Sequence, residues 1–251
     1  MDSGYYAACA ALVSRMEALD VLANNLANTN TDGYKTQQQF YSALDASIGS
    51  TSPAASLTPL NQAMNRYGVV GGQWLNMQEG SLVPTGNKLD VAIQGPGFFA
   101  LQTAAGVRFT RDGSFHLNAK RQLVSAQGEL VLGIGQPKPK PIQVPAGDIS
   151  ISTDGTISVN GAMTGKLEIV NFAPGTQLAP GGNGEFTAPA GAAKVESNPS
   201  VQQGVLEASN TNAVTGMVSL ILAERNAQMM ERAMAIFNAD FDKTAASLGQ
   251  A

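Results

Sequence analysis

Residues 220–248, LILAERNAQMMERAMAIFNADFDKTAASL, contain apolar residues that recur at alternating intervals of three and four. Residues at this spacing share one side of an α-helix and form a heptad stripe that packs against another helix. No proline interrupts the stretch, so it predicts a long helix over about residues 212–248. The stripe consists of Leu220, Ala223, Ala227, Met230, Met234, Phe237, Phe241, Leu248 and one polar member, Thr244.

The other end of the chain repeats the pattern and predicts a helix over about residues 3–28. Its stripe consists of Tyr5, Cys9, Leu12, Met16, Leu19, Ala23 and Leu26. At about 1.5 Å per residue, the two helices would be roughly 39 Å and 55 Å long. A helix in a soluble domain averages about 11 to 12 residues. Helices this long need packing partners along their whole length.

Two arrangements would supply those partners: a two-helix hairpin that closes one globular domain, or a bundle of helices from several subunits. Further apolar residues lie off the stripes, at Val13, Val21, Leu22, Val214, Met217, Val218, Ile221, Leu222 and Ile236. Two helices bury only one face each against one another, so this additional apolar surface needs another cover. The pattern favours assembly between subunits.

The middle of the chain has the pattern of short strands. They are predicted at residues 90–93, 98–103, 107–110, 114–117, 128–132, 149–152, 156–159 and 167–171. Asp112-Gly113, Asp154-Gly155 and Asn160-Gly161 stand where hairpin turns are needed, because these residue types accept a positive φ. No helical pattern alternates with the strands, so a doubly wound parallel sheet is disfavoured. The predicted fold class is α+β, with terminal helices paired in a coiled-coil-like domain and a central, mainly antiparallel β domain.

The composition of the chain argues against several classes of function. Only 14% of the 251 residues are charged and the net charge is −4, which does not suggest affinity for nucleic acid or an anionic membrane. One cysteine, Cys9, and one histidine, His116, cannot form an internal disulfide or a typical zinc site. The apolar residues 5–13 follow Asp2 without a preceding Lys or Arg, so no cleavable secretion signal is predicted. The protein either stays in the cytosol or leaves through a machine that does not read such a signal.

No cofactor motif or catalytic set stands out. Gly133 and Gly135 lack the third glycine of a dinucleotide-binding loop, and no Gly-rich run leads to a Walker lysine. His116 lies in an alternating strand pattern that predicts a solvent-facing side chain. Gly95-Pro96-Gly97 fits either a ligand loop or a turn that delivers Phe98 and Phe99 into the β core, and the turn is favoured. We therefore predict no cofactor, no metal and no catalytic residue, although sequence alone does not rule out a carboxylate pair.

Residues 23–35, ANNLANTNTDGYK, describe a helix that ends in Asn and Thr, a turn at Asp32-Gly33, and an aromatic anchor at Tyr34. This stretch resembles the N-terminal signature of bacterial flagellar basal-body rod and hook proteins. The residues that carry the resemblance are Asn24, Asn25, Leu26, Ala27, Asn28, Thr31, Gly33 and Tyr34, the last standing where the family often has Phe. Residues 89–99 (LDVAIQGPGFF) and 109–115 (FTRDGSF) resemble the β-domain motifs of the family, and residues 203–214 (QGVLEASNTNAV) resemble the start of its C-terminal helix.

The resemblance implies a division of the chain into a helical D0 domain, residues 1–35 and 205–251, and a β-rich D1 domain, residues 66–204. Residues 36–65 would connect them. The subunit interface would be formed by stripe residues, namely Leu12, Met16, Leu19, Leu26, Leu220, Met230, Met234, Phe237 and Phe241.

The function implied by the resemblance is structural. The chain would be a subunit of the periplasm-spanning rod that transmits torque from the motor to the hook. Its partners would be further copies, other axial proteins of the flagellum and the flagellar type III export apparatus, with no nucleic acid and no small-molecule substrate. Length and the single compact β region resemble a rod protein of the FlgF or FlgG kind rather than the larger hook subunit. The opening residues 1–6 and the Gly-rich residues 178–193 favour the FlgF, proximal-rod type. Alternatives are a FlgG-type distal-rod subunit, a hook subunit, or a secreted adhesin or enzyme built on the β domain.

Overall fold

The computed structural model describes residues 2–42, 69–135, 139–196 and 198–248. These form two compact units. The first unit takes residues 1–27, 37–74 and 213–251, and the second takes residues 28–36 and 75–212. The chain therefore passes from the first unit into the second twice, at residues 28 and 75, and returns to the first unit at residues 37 and 213.

The first unit contains the two terminal helices. Helix α1 spans Asp2–Ala27 and helix α2 spans Ala213–Leu248, so the helices predicted at both ends of the chain are confirmed. The helices pack against one another, and strands β1 (Gln37–Ser42) and β2 (Val69–Leu75) form a two-stranded sheet. Most of the predicted connecting segment, residues 36–65, lies outside the described residues, and its first part is β1. The structure has one helix from each end, and their coiled-coil-like pairing stays a prediction.

The second unit is built of short strands. They are β3 (Leu82–Pro84), β4 (Val91–Gln94), β5 (Phe98–Thr103), β6 (Gly106–Thr110), β7 (His116–Leu117), β8 (Leu123–Val124), β9 (Leu130–Gly133), β10 (Lys140–Pro141), β11 (Ile149–Ile151), β12 (Thr156–Val159), β13 (Ala162–Lys166), β14 (Ile169–Phe172), β15 (Ala179–Gly182), β16 (Glu185–Thr187), β17 (Ala193–Val195), β18 (Ser200–Gln203) and β19 (Val205–Glu207). The mainly β central domain is confirmed, and each of the eight predicted strands overlaps an observed one.

The strand pairs described in this unit are antiparallel. The main sheet runs in the order β15-β16-β6-β5-β9-β8-β7, with β10 beside β9, β14 beside β5, and β17 beside β14. Strands β11-β12-β13 form a smaller sheet, and β18 pairs with β4 and β19 with β3. The last two pairs bring the C-terminal end of the β region back to its beginning.

Strand β5 explains how the unit is packed. Successive side chains of a strand point to opposite faces. Phe99 and Leu101 belong to one apolar cluster with Val91 and Phe115, whereas Phe98 belongs to a second cluster on the other face. Both faces of β5 are covered, so its apolar run is continuous rather than alternating. The preceding Gly95 and Gly97 have φ of +89° and +142°, which confirms the predicted turn.

Two of the three predicted turns use a positive φ. Asn160 and Gly161 have φ of 52° and 81°, and Gly155 has φ of 81°. The expectation for Gly113 is wrong, because this residue does not have a positive φ. Position 113 requires glycine because there is no room for a side chain: a Cβ there would lie 1.7 Å from the carbonyl oxygen of Val91.

Within the described residues, neither helix combines the length and apolar character that a membrane span requires.

Candidate assembly site

The signature segment, residues 23–35, begins in the last turn of α1. There the side-chain amide of Asn25 binds the backbone of Gln37, the first residue of β1. Asn25 Nδ2 donates to the Gln37 carbonyl oxygen at 2.8 Å, and the Gln37 N–H donates to Asn25 Oδ1 at 2.9 Å. Asn25 is buried, so these two bonds satisfy polar atoms that would otherwise be costly. Asn24 and Ala27, its neighbours in the signature, are exposed.

Helix α1 is followed by a turn that Asn28 and Thr31 of the signature segment form. The Thr31 N–H donates to the Asn28 carbonyl oxygen at 3.2 Å, and the Thr31 hydroxyl donates to Asn28 Oδ1 at 3.1 Å. Both residues are half-buried. The local hydrogen bonds compete with helical ones, which accounts for the end of α1 at Ala27.

Gly33 and Tyr34 anchor the segment within the second unit. Gly33 has φ of +67°, and a Cβ there would lie 2.3 Å from the Asp112 backbone nitrogen. Only glycine satisfies both constraints. The Gly33 N–H donates to the Glu207 carbonyl oxygen at 2.6 Å. Tyr34 is buried, and burial raises the pKa of its hydroxyl to about 12.

The next residue opens a buried ion network. Lys35 Nζ lies 2.7 Å from Glu207 Oε1, and Arg111 Nη1 lies 3.0 Å from Glu207 Oε2. The side chains of Lys35, Glu207 and Arg111 are 1%, 1% and 3% exposed. Lys35 also donates to the Gln78 carbonyl oxygen at 2.7 Å, and the Gly80 N–H donates to Glu207 Oε1 at 2.9 Å. The Glu207 carboxylate, in strand β19, thus connects Lys35 of the signature segment with Arg111, which directly follows strand β6.

Burial has the largest effect on the pKa of Lys35 in this network. It lowers the pKa of Lys35, and the hydrogen bond and charge of Glu207 oppose that effect. A buried ion pair contributes little net stability compared with apolar residues, but removing one partner is strongly destabilising. The network therefore makes the second unit depend on residues at both of its chain ends.

Asn210 adds a second, uncharged connection between the two chain ends. Its Oδ1 accepts from the Thr36 N–H at 2.8 Å and from the Thr36 hydroxyl at 2.6 Å. Its Nδ2 donates to the carbonyl oxygens of Asn76 and Gln78, both at 2.9 Å. The amide group uses its full hydrogen-bonding capacity, so the strand pairs and side chains together hold residues 34–36 beside residues 207–211.

In the first unit, α2 has one narrow stripe of reduced exposure. The described side chains that are not exposed are those of Ala213, Gly216, Leu220, Ala223, Ala227, Met230 and Met234. Their intervals alternate between three and four, and the predicted interface residues Leu220, Met230 and Met234 lie among them. Phe237 and Phe241 lie in α2, but their side chains are outside the described residues.

The least exposed stripe of α1 is not centred on the predicted one. Its buried residues are Ser14, Ala18, Val21 and Asn25, which also follow intervals of four and three. Of the predicted interface residues, Leu12, Leu19 and Leu26 are half-buried and Met16 is exposed. Leu26 covers Gly216 of α2, where an added Cβ would lie 3.7 Å from Leu26 Cδ1. Small side chains on the buried stripe permit close approach of neighbouring backbone.

The other faces of both helices carry a large apolar surface. In α2 this surface, which we call the outer apolar face, comprises Val214, Met217, Val218, Ile221, Leu222, Met229 and Ile236, each more than half exposed. In α1, Val13 and Met16 are exposed to the same extent. A patch of this size on a soluble protein marks an interaction surface. Of the off-stripe residues noted in the sequence, Val21 is buried and Leu22 is half-buried.

The described residues offer little for catalysis. No group of three or more His, Cys, Asp or Glu side chains among them is arranged to hold a metal ion. His116 is exposed, as its strand pattern predicts.

Sequence reasoning missed the three charged residues of the ion network. Lys35, Arg111 and Glu207 were within the quoted motifs but were not selected as site residues. Only Glu207 carried a signal, because it directly follows the apolar residues Val205 and Leu206 in a chain that has few charges. Their mutual contact could not be inferred, because they are far apart in sequence.

Comparison with known proteins agrees with the motifs. Residues 6–35 match the family model described as flagella basal body rod protein, and residues 92–159 match the flagellar hook protein FlgE/F/G D1 domain. The chain is 30% identical to the basal-body rod protein FlgF of Rhizobium meliloti, over 99% of each chain. It is 32% identical to FlgF of Escherichia coli over 91% of each chain. With FlgG of Agrobacterium fabrum the identity is 35%, over 84% of this chain and 86% of the relative.

A β unit inserted between two terminal helices, with these relatives, defines a structural protein of the flagellar axis rather than an enzyme. More particularly, the chain belongs to the family of flagellar basal-body rod proteins.

Proposed function

We propose that the chain is a structural subunit of the bacterial flagellar basal-body rod, which assembles helically through its terminal helices and transmits torque from the motor to the hook. The observation that carries the proposal is the outer apolar face of α2, which nothing covers among the described residues of the chain. Family membership supports the same assignment.

The mechanism is mechanical. Helices of neighbouring subunits pack along the outer apolar faces. The predicted interface residues Leu220, Met230 and Met234 lie on the other, less exposed side of α2 and would take part in a second helix contact. Phe237 and Phe241 stay predicted members of that second contact. Burial of apolar surface contributes about 25 cal/mol per Å², so many modest helix contacts sum to a stiff shaft. A contact between two different surfaces of the same subunit repeats along a helix instead of closing into a dimer. The β units hold neighbouring subunits at a fixed spacing.

Within the family we propose the FlgF, proximal-rod type. Support comes from FlgF of Rhizobium meliloti, which aligns over 99% of this chain, whereas three FlgG relatives align over 82%, 84% and 93% of it. The location would be the periplasm-spanning rod of the basal body. The chain would reach it through the flagellar type III export apparatus. Its partners would be other rod and hook proteins as well as further copies.

Replacement of one outer-face residue tests the proposal. Leu222 is 55% exposed, so Leu222→Asp leaves the isolated chain folded but puts a carboxylate into an interface between subunits. Complementation of a strain that lacks the corresponding rod gene should give exported protein, no incorporation into purified basal bodies and no swimming. Met163→Asp is the matched control, since Met163 is an exposed apolar residue of strand β13.

Both variants should melt at the same temperature as the parent chain, measured on the purified chains by circular dichroism. Basal bodies that contain Leu222→Asp at the normal level would contradict assembly through this face.

A further inference from the structure

The hairpin at the end of the main sheet turns at Asn183 and Gly184, between strands β15 and β16. Their φ angles of 51° and 74° are those of a two-residue hairpin turn. Asparagine is a chemically labile residue, and most so before glycine. The backbone nitrogen of a following glycine can attack the side-chain amide carbon, because no Cβ on the glycine stands in the way. This turn therefore carries a residue pair that can change covalently without an enzyme.

The side chain of Asn183 is free to reach the Gly184 nitrogen. Asn183 is exposed, and its amide group makes no hydrogen bond to any residue that the structure describes. A Cβ added at Gly182 or at Gly184 would meet no described atom within 4 Å, so the space around the turn is open. Rotation of the Asn183 side chain can therefore bring its amide carbon to the attacking nitrogen.

A second pair, Asn160-Gly161, has nearly the same backbone, with φ of 52° and 81°, and Asn160 is also exposed. Its side chain, however, is held. Asn160 Oδ1 accepts from the Asp148 N–H at 2.8 Å, and the Asn160 N–H donates to the Asp148 carbonyl oxygen at 2.9 Å. The amide group also lies against Gly147, where an added Cβ would be 2.5 Å from Nδ2. The two pairs therefore differ in the freedom of the asparagine side chain.

We propose that Asn183 is a site of spontaneous deamidation, which converts the tip of the β15–β16 hairpin into a mixture of aspartate and isoaspartate. The Gly184 nitrogen bonds to Asn183 Cγ, the Cγ–Nδ2 bond breaks, and Nδ2 leaves as ammonia with the proton of the Gly184 N–H. Water then opens the cyclic imide. Opening at Cγ gives aspartate, whereas opening at the backbone carbonyl carbon gives isoaspartate, which adds a methylene group to the main chain.

Isoaspartate at this turn weakens the attachment of the hairpin. Gly182 pairs with Glu185 across the turn, and the Thr110 hydroxyl of β6 donates to the Gly184 carbonyl oxygen at 3.0 Å. An extra methylene group in the main chain displaces these partners from one another. The next residue of β16, Phe186, is buried in the second apolar cluster. The modification therefore loosens the edge of the main sheet.

Peptide mapping by mass spectrometry tests the site on full-length chain incubated at mildly alkaline pH. We expect Asn183 to gain the mass of an amide-to-carboxyl conversion at least about fivefold faster than Asn160, whose side chain must first break a hydrogen bond. In denaturant both side chains are free, and the two rates should converge. The matched variant Asn183→Gly keeps a residue that accepts a positive φ and should retain only the slow gain at Asn160.

Hydrogen exchange tests the effect on the hairpin. Amides of Glu185–Thr187 should exchange faster in the incubated parent chain than in fresh chain, whereas the Asn183→Gly chain should exchange alike before and after incubation. A rate at Asn160 equal to or above that at Asn183, or a difference that persists in denaturant, would overturn the assignment of the site. Unchanged exchange in deamidated chain would overturn the effect on the hairpin. None of these outcomes bears on the rod function, which the Leu222→Asp test decides separately.

Discussion

Glu207 is the residue on which the second unit depends most, because two buried cations share its carboxylate. Glu207→Gln keeps the shape of the side chain but leaves Lys35 and Arg111 without a counter-charge. We expect the free energy of unfolding of the β unit to fall by about 3–5 kcal/mol, measured by denaturant titration. The control Glu196→Gln changes a carboxylate that is only half-buried and should cost less than about 1 kcal/mol.

A double variant separates the loss of charge from the loss of packing. Lys35→Met combined with Glu207→Gln removes one of the two uncompensated cations, so it should be more stable than Glu207→Gln alone. If the double variant is the less stable of the two, the effect comes from side-chain packing and the charge argument is wrong.

Glu168 makes the folded state less stable as pH rises, whereas an ion-paired carboxylate makes it more stable. It is 8% exposed, its Oε2 has no hydrogen-bond partner, and burial raises its pKa. The raised pKa means that the folded state holds the proton more tightly than the unfolded state. Stability is therefore greatest below the unfolded-state pKa and is lost as pH rises toward the folded-state value.

Glu168→Gln should remove this pH dependence. We expect the variant to unfold at a higher denaturant concentration than the parent at pH 7, and at the same concentration at about pH 3, where Glu168 is protonated in both states. Equal midpoints at both pH values would show that the carboxyl group is solvated in the folded state.

At the scale of elements, the alternating interval predicted the less exposed side of α2, because residues at this interval share one side of a helix. The interval did not depend on the rest of the helix being polar, since further apolar residues form the outer apolar face. In α1 the buried stripe contains Ser14 and Asn25, which a search for apolar residues passes over. Burial of Asn25 depends on its bonds to Gln37, a tertiary contact that the interval does not contain. Among the strands, β8 and β10 have only two residues each and carry no detectable period.

The displaced stripe of α1 gives a direct test with two alanines. Ala18 is buried, whereas Ala23, a member of the stripe predicted from the sequence, is exposed. Ala18→Leu overfills a close-packed position and should lower the stability of the helical unit by about 1–3 kcal/mol. Ala23→Leu should change it by less than about 0.5 kcal/mol. Thermal loss of the helical signal in circular dichroism compares the two, and a larger effect of Ala23→Leu would restore the predicted stripe.

At the scale of the whole molecule, the two units differ in how much apolar surface each buries within one chain. The second unit covers both faces of β5, whereas most of the described side chains of α2 are exposed. Ordering each residue costs about 1–2 kcal/mol, and burial of one narrow stripe offsets only part of this cost. The helices therefore open more readily than the β core until another subunit covers them.

Amide hydrogen exchange on a dilute monomer and on assembled rods measures this difference. In the monomer, amides of α1 and α2 should exchange faster than those of Phe98–Thr103. In rods the helices should gain protection while β5 changes little, because its apolar neighbours already lie within the same chain. Strand β5 thus serves as the internal control. Equal protection of the helices and β5 in the monomer would mean that the helix pair is stable by itself, and the outer apolar face would then need an explanation other than assembly.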